Sequence, residues 1–362
     1  MFKRILILSL PGIGDTLMAT PMMKYLRESF TQATIDALTM QRGSYEVLRV
    51  NPHIDTVFYF PFLKRGVRAS LSYILREIRS RGYDLSITIY PSYPKHYHVV
   101  AYLCGAKMRI ANGFESGYVK ELHLLNTHLV QMKLTDHNVV NNLRLLTPLG
   151  IRCNPDDVKL ELTIPTDIMD WANDFWHSMN LSNKVVYFHN GSSKIKKGTE
   201  KKILPWWWVR DLLHRLLEKG YNVLFNLGPE EQWQREMLER DFKAELGKRI
   251  WPISGLSILQ VAALIKRAGL LIANDSGIMH LGAALNVRVI GLFGVTATYQ
   301  VAPWTANACT VTSDLPCAPC YTDYARREFR CSNPKYNPSN PTFPCMEAIS
   351  IEKVMECLTK LT

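Results

Sequence analysis

The sequence predicts an α/β protein built from two doubly wound halves. Short apolar runs alternate with amphipathic stretches along most of the chain, and the alternation starts again near residue 184. Apolar strands separated by helices are typical of parallel sheets that are covered on both faces. A chain of 362 residues with 47% hydrophobic and 21% charged residues suits two domains of ordinary size, each with a buried core.

In the first half, five apolar runs are expected to form strands: 4–10, 34–40, 56–60, 84–90 and 108–113. Between the first two, TLMATPMMKYLRESF (16–30) has apolar residues at helical spacing and predicts a helix. The chain's start resembles a secretory signal, because Lys3 and Arg4 precede an apolar run. That run stops at Pro11, which is too soon for such a signal, so a buried first strand is expected instead.

In the second half, the expected strands are 184–193, 222–229, 249–254, 270–275 and 287–294. Two amphipathic helices lie between them, at 206–220 and 257–269, and Gly269 closes the second as a C-cap. We therefore assign residues 1–170 to a first domain and 171–340 to a second. The second domain includes a cysteine- and proline-rich segment at 309–345. A last helix within 346–362 is expected to pack back on the first domain.

The chain is basic, with a formal charge of +11 and a pI near 9.2. Such a charge favours an anionic partner: nucleic acid, an acidic membrane surface or a phosphorylated small molecule. No stretch reaches the roughly 18 uninterrupted apolar residues of a membrane span. We therefore expect a cytoplasmic protein whose eight cysteines are mostly reduced thiols or metal ligands.

The stretch NDSGIMHLGAALN (274–286) places polar residues at the start of an apolar helix. Ser276 is a good N-cap, and Gly277 leaves room for a ligand at the helix amides, which attract anions. Asp275 suits hydroxyl groups rather than an anion, and His280 lies on the same helical face as Ser276. The alternative interpretation is a capped helix with a core histidine.

A second strand–loop–helix turn, SLPGIGDTLMATP (9–21), opens the first half. It lacks the third glycine and the later acidic residue of the dinucleotide fingerprint. Asp15 lies where this loop leaves the sheet, although a lone aspartate there is often just an N-cap. Two such loops on two facing domains predict a central cleft, with one anion-binding side and one carboxylate-bearing side.

These segments resemble glycosyltransferase family 9, the heptosyltransferases. The pattern D-[ST]-G-x-x-H-L-x-A-A-L is met by 275–285, and ILILSLPGIGDTLMATPMMKYL (5–26) is similar to the family's opening segment. A third segment, 188–212, offers Ser192, Ser193 and Lys202 at positions where the family carries hydroxyl groups and a lysine. Leu204 stands where the family usually has tryptophan before the proline, and other lysines lie nearby.

The resemblance implies a GT-B fold: two doubly wound Rossmann-like domains facing a central cleft. It also implies an inverting transfer of heptose from ADP-heptose to the lipopolysaccharide core, with Asp15 as the general base and no divalent metal for catalysis. The diphosphate would meet Lys202 and the amides at 276–279. The remaining expected donor-binding residues are Ser192, Ser193, Glu230 (ribose; Glu231 as its substitute), Leu256 (base), Asp275 (sugar hydroxyls), Ser276, Gly277 and His280. For Glu230, the alternative is a solvated first-turn glutamate.

The stretch FLKRGVRASLSYILREIRSRGY (62–83) carries six basic residues against Glu77 alone. We expect Arg76, Arg79 and Arg81 to bind an anionic acceptor at a membrane surface, on the inner face of the inner membrane. The alternative is a solvated helix face. No nucleic-acid-binding module accompanies the charge. Two other functions stay open: a transferase that modifies protein serine or threonine, as autotransporter heptosyltransferases do, and a non-catalytic nucleotide-binding protein.

Four cysteines in the segment after residue 309 have spacings that suit a metal site: Cys317, Cys320, Cys331 and Cys345. The first two form a C-x₂-C pair, and four thiolates would complete a tetrahedral zinc or iron site with a structural role. Related transferases that act on autotransporter proteins use cysteines in this region to hold iron. The alternatives are four reduced thiols or disulfides.

Overall fold

The computed structural model describes residues 2–114, 119, 121–181, 184–192, 199–320, 331–337 and 342–362. The chain divides into two compact units, Met1–Thr163 and Ile164–Thr362. In the described residues, each unit holds one parallel six-stranded sheet, so the predicted doubly wound α/β class is confirmed. The division falls a few residues before the expected boundary at 170. None of the described helices is long and apolar enough to cross a membrane.

In the first unit, the strands lie side by side in the order β3-β2-β1-β4-β5-β6. They are β1 (Arg4–Ser9), β2 (Thr34–Thr39), β3 (Thr56–Tyr59), β4 (Leu85–Thr88), β5 (Met108–Gly113) and β6 (His128–Gln131). The helices are α1 (Ile13–Met18), α2 (Thr20–Ser29), α3 (Arg42–Leu48), α4 (Phe62–Tyr73), α5 (Lys95–Cys104) and α6 (Asn138–Arg144). A π-helical turn, Ile74–Ile78, continues α4, and a 3₁₀ turn, Arg79–Arg81, follows it.

The first strand pairs in parallel with β2 on one side and β4 on the other. Five of its six residues are buried, which explains its continuous apolar run. The strand order reverses between β1 and β4, and ligands of such sheets bind at the carboxyl ends of the strands there. All five strands expected in this half are present. The sixth, β6, is short and only partly buried, so its sequence carries no strong strand signal.

In the second unit, the order is β12-β11-β10-β7-β8-β9, so the reversal lies between β7 and β10. The strands are β7 (Val185–His189), β8 (Asn222–Asn226), β9 (Ile250–Ile253), β10 (Leu270–Asn274), β11 (Arg288–Phe293) and β12 (Ala308–Thr312). The helices are α7 (Thr166–Ser178), α8 (Trp206–Glu218), α9 (Trp233–Asp241), α10 (Ile258–Ala268), α11 (Gly277–Ala284), α12 (Thr298–Val301), α13 (Pro344–Glu347) and α14 (Ile351–Leu361). All five strands expected in this half are present.

The last helix, α14, was expected to pack on the first domain, but it packs against β11 and β12 of its own unit. Its apolar residues Ile351, Val354 and Leu358 belong to the buried core of that unit. Their spacing places them on one helical face, and the edge of the second sheet supplies the surface that covers it. A disulfide between Cys309 on β12 and Cys357 on α14 joins the two elements, so these two cysteines are not the reduced thiols expected of the chain.

Candidate active site

Most of the predicted donor-binding residues lie at one edge of the second sheet, because they follow the carboxyl ends of its parallel strands. Ser192 follows β7, Glu230 follows β8, Leu256 follows β9 and Asp275 follows β10. The reversal of strand order makes a natural binding position between β7 and β10. The sheet thus brings together residues that are far apart in the sequence.

Asn274, the last residue of β10, connects the segments that border this position. Its side-chain amide donates to the carbonyl oxygens of Gly191 (3.0 Å) and Lys202 (2.9 Å). Its side-chain oxygen accepts from the Gly191 amide at 3.2 Å. Asn274 is fully buried, so this one side chain holds the loop after β7 and the lysine segment against β10. Sequence reasoning did not assign it a role, although it precedes the predicted Asp275.

Lys202 and Asp275 form an ion pair, with 2.5 Å between the lysine Nζ and the Asp275 Oδ2. Their side chains are only 17% and 8% exposed. Burial alone would raise the pKa of Asp275, but the charges of Lys202 and His280 and the Lys202 hydrogen bond hold that pKa below its usual value. The carboxylate is therefore ionised, and the pair places a lysine beside the start of α11.

The ion pair also distinguishes Lys202 from the other lysines of its loop. The Lys201 Nζ lies 5.4 Å from the centre of the Phe343 ring. Residues 193–198, which include the predicted Ser193 and the lysines at 194, 196 and 197, lie outside the described residues. Among the described lysines of the loop, Lys202 is thus the one paired with Asp275.

At the start of α11, Ser276 occupies the N-cap position with an extended backbone. Its hydroxyl makes no capping hydrogen bond, which corrects the prediction that this oxygen binds a first-turn amide. The Ser276 Oγ is buried without a hydrogen-bond partner among the described residues. Gly277 begins the helix, and the buried His280 lies one turn further along it. The first amides of a helix have no intrahelical acceptor and are suited to bind an anion.

The two glutamates after β8 have different positions. Glu231 is buried, and its Oε1 accepts from the Ser192 amide at 3.0 Å. A Cβ at Gly191 would lie 2.6 Å from the Glu231 side chain, and one at Gly228 would lie 2.3 Å from it, so a side chain at either position would require Glu231 to move. Glu230 is half-buried instead. Glu231 therefore positions the loop after β7, which leaves Glu230 as the better candidate for a ligand contact.

Two other predicted donor residues lie beside these loops. Ser192 is half-buried, and its amide is the group that Glu231 holds. Leu256 is half-buried between β9 and α10, directly before a capping box formed by Ser257 and Gln260. The capping box satisfies the first amides of α10 and thereby fixes where Leu256 lies.

In the first unit, Asp15 lies in the first turn of α1, at the carboxyl end of β1. It is 8% exposed. Hydrogen bonds brace the loop: Thr16 donates to the Gly12 carbonyl at 3.0 Å, and its hydroxyl also bonds to Ser9 and Ser44. Asp15 is therefore held at the point where the strand order of the first sheet reverses.

The structure does not bring Arg79 and Arg81 to the same edge as Asp15. Arg4, the first residue of β1, donates to the Arg81 carbonyl at 2.6 Å, so Arg81 lies at the amino edge of the sheet. Asp15 lies beyond the other end of that strand, and a six-residue strand is about 20 Å long. Arg76 lies on the exposed side of the π-helical turn between these positions.

The four cysteines predicted to bind metal approach one another in the second unit. Burial and then the charges of Cys331 and Cys317 raise the pKa of the Cys320 thiol to about 11. Cys345 is affected by the other three, and its pKa is raised to about 12, mainly by burial. However, no group of three or more His, Cys, Asp or Glu side chains in the described ranges stands at distances that would hold a metal ion. The metal site therefore stays a prediction.

Comparison with known proteins agrees with this architecture. The family model of glycosyltransferase family 9 (heptosyltransferase) matches residues 72–328. Lipopolysaccharide heptosyltransferase 3 of Escherichia coli strain K12 is 28% identical over 310 residues, covering 81% of this chain and 83% of the relative.

Two solved structures from E. coli have the same fold. The ADP-heptose LPS heptosyltransferase II aligns with a TM-score of 0.74 at 16% identity, over 99% of this chain and 98% of the other. Heptosyltransferase WaaC with ADP-2-deoxy-2-fluoro heptose aligns with a TM-score of 0.69 at 14% identity, over 99% and 100%. The family match spans well over half of the sequence, and the chain is a member of glycosyltransferase family 9, the heptosyltransferases.

Proposed function

We propose that this protein transfers heptose from ADP-heptose to a hydroxyl group of the lipopolysaccharide core, at the cytoplasmic face of the inner membrane. The observation that carries the proposal is the Lys202–Asp275 pair beside the amino end of α11, at the strand reversal of the second sheet. A buried cation, free helix amides and a carboxylate are the groups that a sugar diphosphate needs. Heptosyltransferase WaaC, which shares the fold, was solved with a fluorinated analogue of ADP-heptose.

The donor would bind with its diphosphate between Lys202 and the first amides of α11, where His280 supports the turn. An ionised Asp275 repels phosphate, so we assign it to sugar hydroxyl groups next to the diphosphate. Ser192, the unpartnered Ser276 hydroxyl and Gly277 complete the phosphate side, and Ser193 is assigned there by family resemblance. Glu230 would meet the ribose and Leu256 the adenine.

The transfer would proceed with inversion at the anomeric carbon. The acceptor oxygen forms a bond to that carbon while the bond to the β-phosphate oxygen breaks, and the electron pair leaves with ADP. The acceptor proton goes to the Asp15 carboxylate, because a sugar hydroxyl is a weak nucleophile at neutral pH. A positioned base typically contributes about 10²–10⁴-fold to such a step. The charge that develops on ADP is balanced by Lys202 and helix amides, so we propose that catalysis needs no divalent metal.

For the acceptor, we propose contacts at the carboxyl edge of the first sheet, where Asp15 lies. Lys64, Arg65 and Arg68 lie towards that edge, near the amino end of α4, because α4 begins just after β3 ends. None of the three has an ion-pair partner among the described residues, which leaves their charges for an anionic acceptor. The acceptor role predicted for Arg79 and Arg81 is less compatible with Asp15, because these residues lie at the opposite edge.

The proposal is tested by incubating the purified full-length chain with a panel of nucleotide sugars and measuring the release of nucleoside diphosphate. We expect release from ADP-heptose that depends on a heptose-containing core acceptor, and a product with inverted anomeric configuration by NMR. Release of nucleoside diphosphate that depends on a protein acceptor would contradict the proposed acceptor. Release only with another nucleotide sugar would contradict the proposed donor. No release with any donor would favour a non-catalytic protein.

A further inference from the structure

The helix α4 has an apolar face that the protein covers at only one end. Along α4 and the π-helical turn that continues it, residues 67, 71, 74, 75 and 78 repeat at helical spacing and form one face. Ile74 and Ile78 are buried in the core of the first unit. Val67 is 84% exposed, Leu71 39% and Leu75 41%. The same face that anchors the helix therefore continues into solvent.

Aromatic contacts attach the first and the last residue of α4 to the unit. The Phe60 ring stacks on Tyr73 with 4.3 Å between ring centres, and Phe62 packs against the core that contains Ile74. Gly66 has a positive φ of 72°, which bends the chain and places Leu63, 62% exposed, before the bend. None of the residues of α4 itself is buried. We call the exposed set Leu63, Val67, Leu71 and Leu75 the apolar stripe.

Basic residues accompany the stripe. Lys64, Arg65 and Arg68 are exposed beside it, and the only acidic residue between 62 and 83 is Glu77. Exposed aliphatic side chains with neighbouring lysine and arginine are the pattern of a helix that lies in a membrane interface, where apolar groups enter the lipid and cations meet anionic headgroups. The seven helical residues after the bend at Gly66, 67–73, span about 10 Å, which suits a segment that lies on a bilayer rather than crossing it.

We propose that the apolar stripe docks the protein on an anionic lipid bilayer. The alternative occupant of such a face is a second copy of the chain. A two-fold contact would place the same surface of each copy against the other, so one basic surface would face an identical basic surface. Like charges repel, whereas an anionic bilayer neutralises them. The charge beside the stripe thus favours lipid over self-association.

The position of the stripe fits a lipid-linked substrate. The amino end of α4 follows β3, so Leu63 and Val67 lie towards the carboxyl edge of the first sheet, as Asp15 does. Docking through this end would bring that edge to the membrane surface. The inference concerns vesicle binding alone and does not depend on which sugar is transferred.

The test is flotation of the full-length protein with vesicles of phosphatidylethanolamine and phosphatidylglycerol, compared with vesicles of phosphatidylcholine. We expect binding to the anionic vesicles, and a loss of about tenfold or more in the variant Leu63→Ser/Val67→Ser/Leu71→Ser. The variant Lys64→Gln/Arg65→Gln/Arg68→Gln should bind more weakly than wild type and lose its sensitivity to salt. A matched control, Leu124→Ser/Met179→Ser, removes exposed apolar side chains elsewhere and should float like wild type.

Circular dichroism and thermal unfolding establish that the serine variant is folded, which is expected because its three side chains are exposed. That variant should also keep its transfer rate on a water-soluble acceptor, so failure of docking and failure of the proposed activity are distinguishable. Equal flotation of the serine variant and wild type would overturn the proposal. So would a wild-type dimer that becomes monomeric in the serine variant and fails to bind anionic vesicles.

Discussion

At the residue scale, the Lys202–Asp275 pair links the stability of the second unit to its proposed donor site. The two side chains are mostly buried, so the charged form of each is stabilised by the opposite charge of the other. A buried ion pair adds little net stability, but removal of one partner leaves an uncompensated charge, which is costly.

Lys202→Met should therefore destabilise the protein by about 3 kcal/mol, because the Asp275 carboxylate would stay buried without its cation. The double variant Lys202→Met/Asp275→Asn should be more stable than this single variant. Urea denaturation measures both. The loss in Lys202→Met should shrink as the pH falls, because burial then raises the pKa of Asp275 and protonation removes the charge. Strictly additive effects of the two substitutions would show that the pair is not coupled.

The same pair makes a binding prediction. Lys202→Met should weaken ADP binding and slow transfer together, whereas Asp275→Asn should keep ADP binding and lose transfer, because Asp275 is assigned to the sugar. Isothermal titration with ADP and turnover with ADP-heptose separate the two outcomes. Weaker ADP binding in Asp275→Asn would place that carboxylate in a different role.

Asp15 carries the proposed base chemistry. Asp15→Asn preserves size but cannot accept a proton, so turnover should fall at least about a hundredfold while donor affinity stays near normal. Steady-state kinetics with a saturating donor measures the change. Asp36→Asn is a suitable comparison for the loss of a carboxylate in the same sheet, since Asp36 lies on β2 and accepts from Tyr83. Near-normal turnover in Asp15→Asn would remove Asp15 from the mechanism.

At the scale of elements, α4 and its continuation carry basic residues towards both edges of the first sheet. Replacing Lys64, Arg65 and Arg68 with glutamine should raise the KM for a soluble phosphorylated acceptor, more strongly at low salt, and spare donor affinity. Replacing Arg76, Arg79 and Arg81 should have the smaller effect, because Arg79 and Arg81 lie at the far edge. If replacing Arg76, Arg79 and Arg81 raises the KM for the acceptor more strongly, these three arginines are the acceptor-binding residues, as the sequence predicted.

The cysteine-rich segment follows β12. We propose that it holds a structural zinc or iron ion. The expected ligands are Cys317, Cys320, Cys331 and Cys345. Burial, and then the neighbouring thiols, raise the pKa of Cys320 to about 11 and that of Cys345 to about 12, so metal binding would have to release protons from these two thiols and should weaken as the pH falls. Elemental analysis should find about one ion per chain, lost in Cys317→Ser. Cys153→Ser, in the first unit, should keep the metal. A folded, active, metal-free protein would refute the site.

At the scale of the whole molecule, each unit has a buried histidine that should make stability depend on pH. Burial, and then the neighbouring His123, lowers the pKa of His98 to about 4. Burial lowers the pKa of His189 to about 4 as well. Both rings are therefore neutral in the folded protein at pH values where an unfolded histidine, with a pKa near 6.5, is charged.

The unfolded chain then binds more protons, so the stability of the protein should fall as the pH drops from about 6.5 towards 4. Urea denaturation between these pH values should show the loss. His98→Gln and His189→Gln should each reduce it, because a glutamine takes up no proton. Exposed His128→Gln is the matched control and should leave the slope unchanged. A wild-type stability that does not change over this range would contradict the prediction.

The sequence by itself determined the elements and the local turns. The alternation of apolar runs and amphipathic stretches identified ten of the strands. A strand that is buried on both faces consists of consecutive apolar residues, and this pattern can be seen locally in the sequence. Asp15 and Gly277 were identified from the two strand–loop–helix turns that contain them, and the roles expected of them came from the family resemblance. The strands β6 and β12 were not predicted, since both are short and only partly buried and so have no clear apolar pattern.

The tertiary structure decided which of those residues meet. Lys202 and Asp275 are 73 residues apart, and they pair because β10 lies beside β7 in the sheet. In the same sheet, Asn274 and Glu231 hold the loop after β7 in place. In the first sheet, the length of β1 separates Arg81 from Asp15. Strand order and helix direction arise from packing over long sequence separations. Local sequence patterns contain no information about that packing. The pairing of Lys202 with Asp275 and the supporting roles of Asn274 and Glu231 could therefore be assigned only from the folded structure.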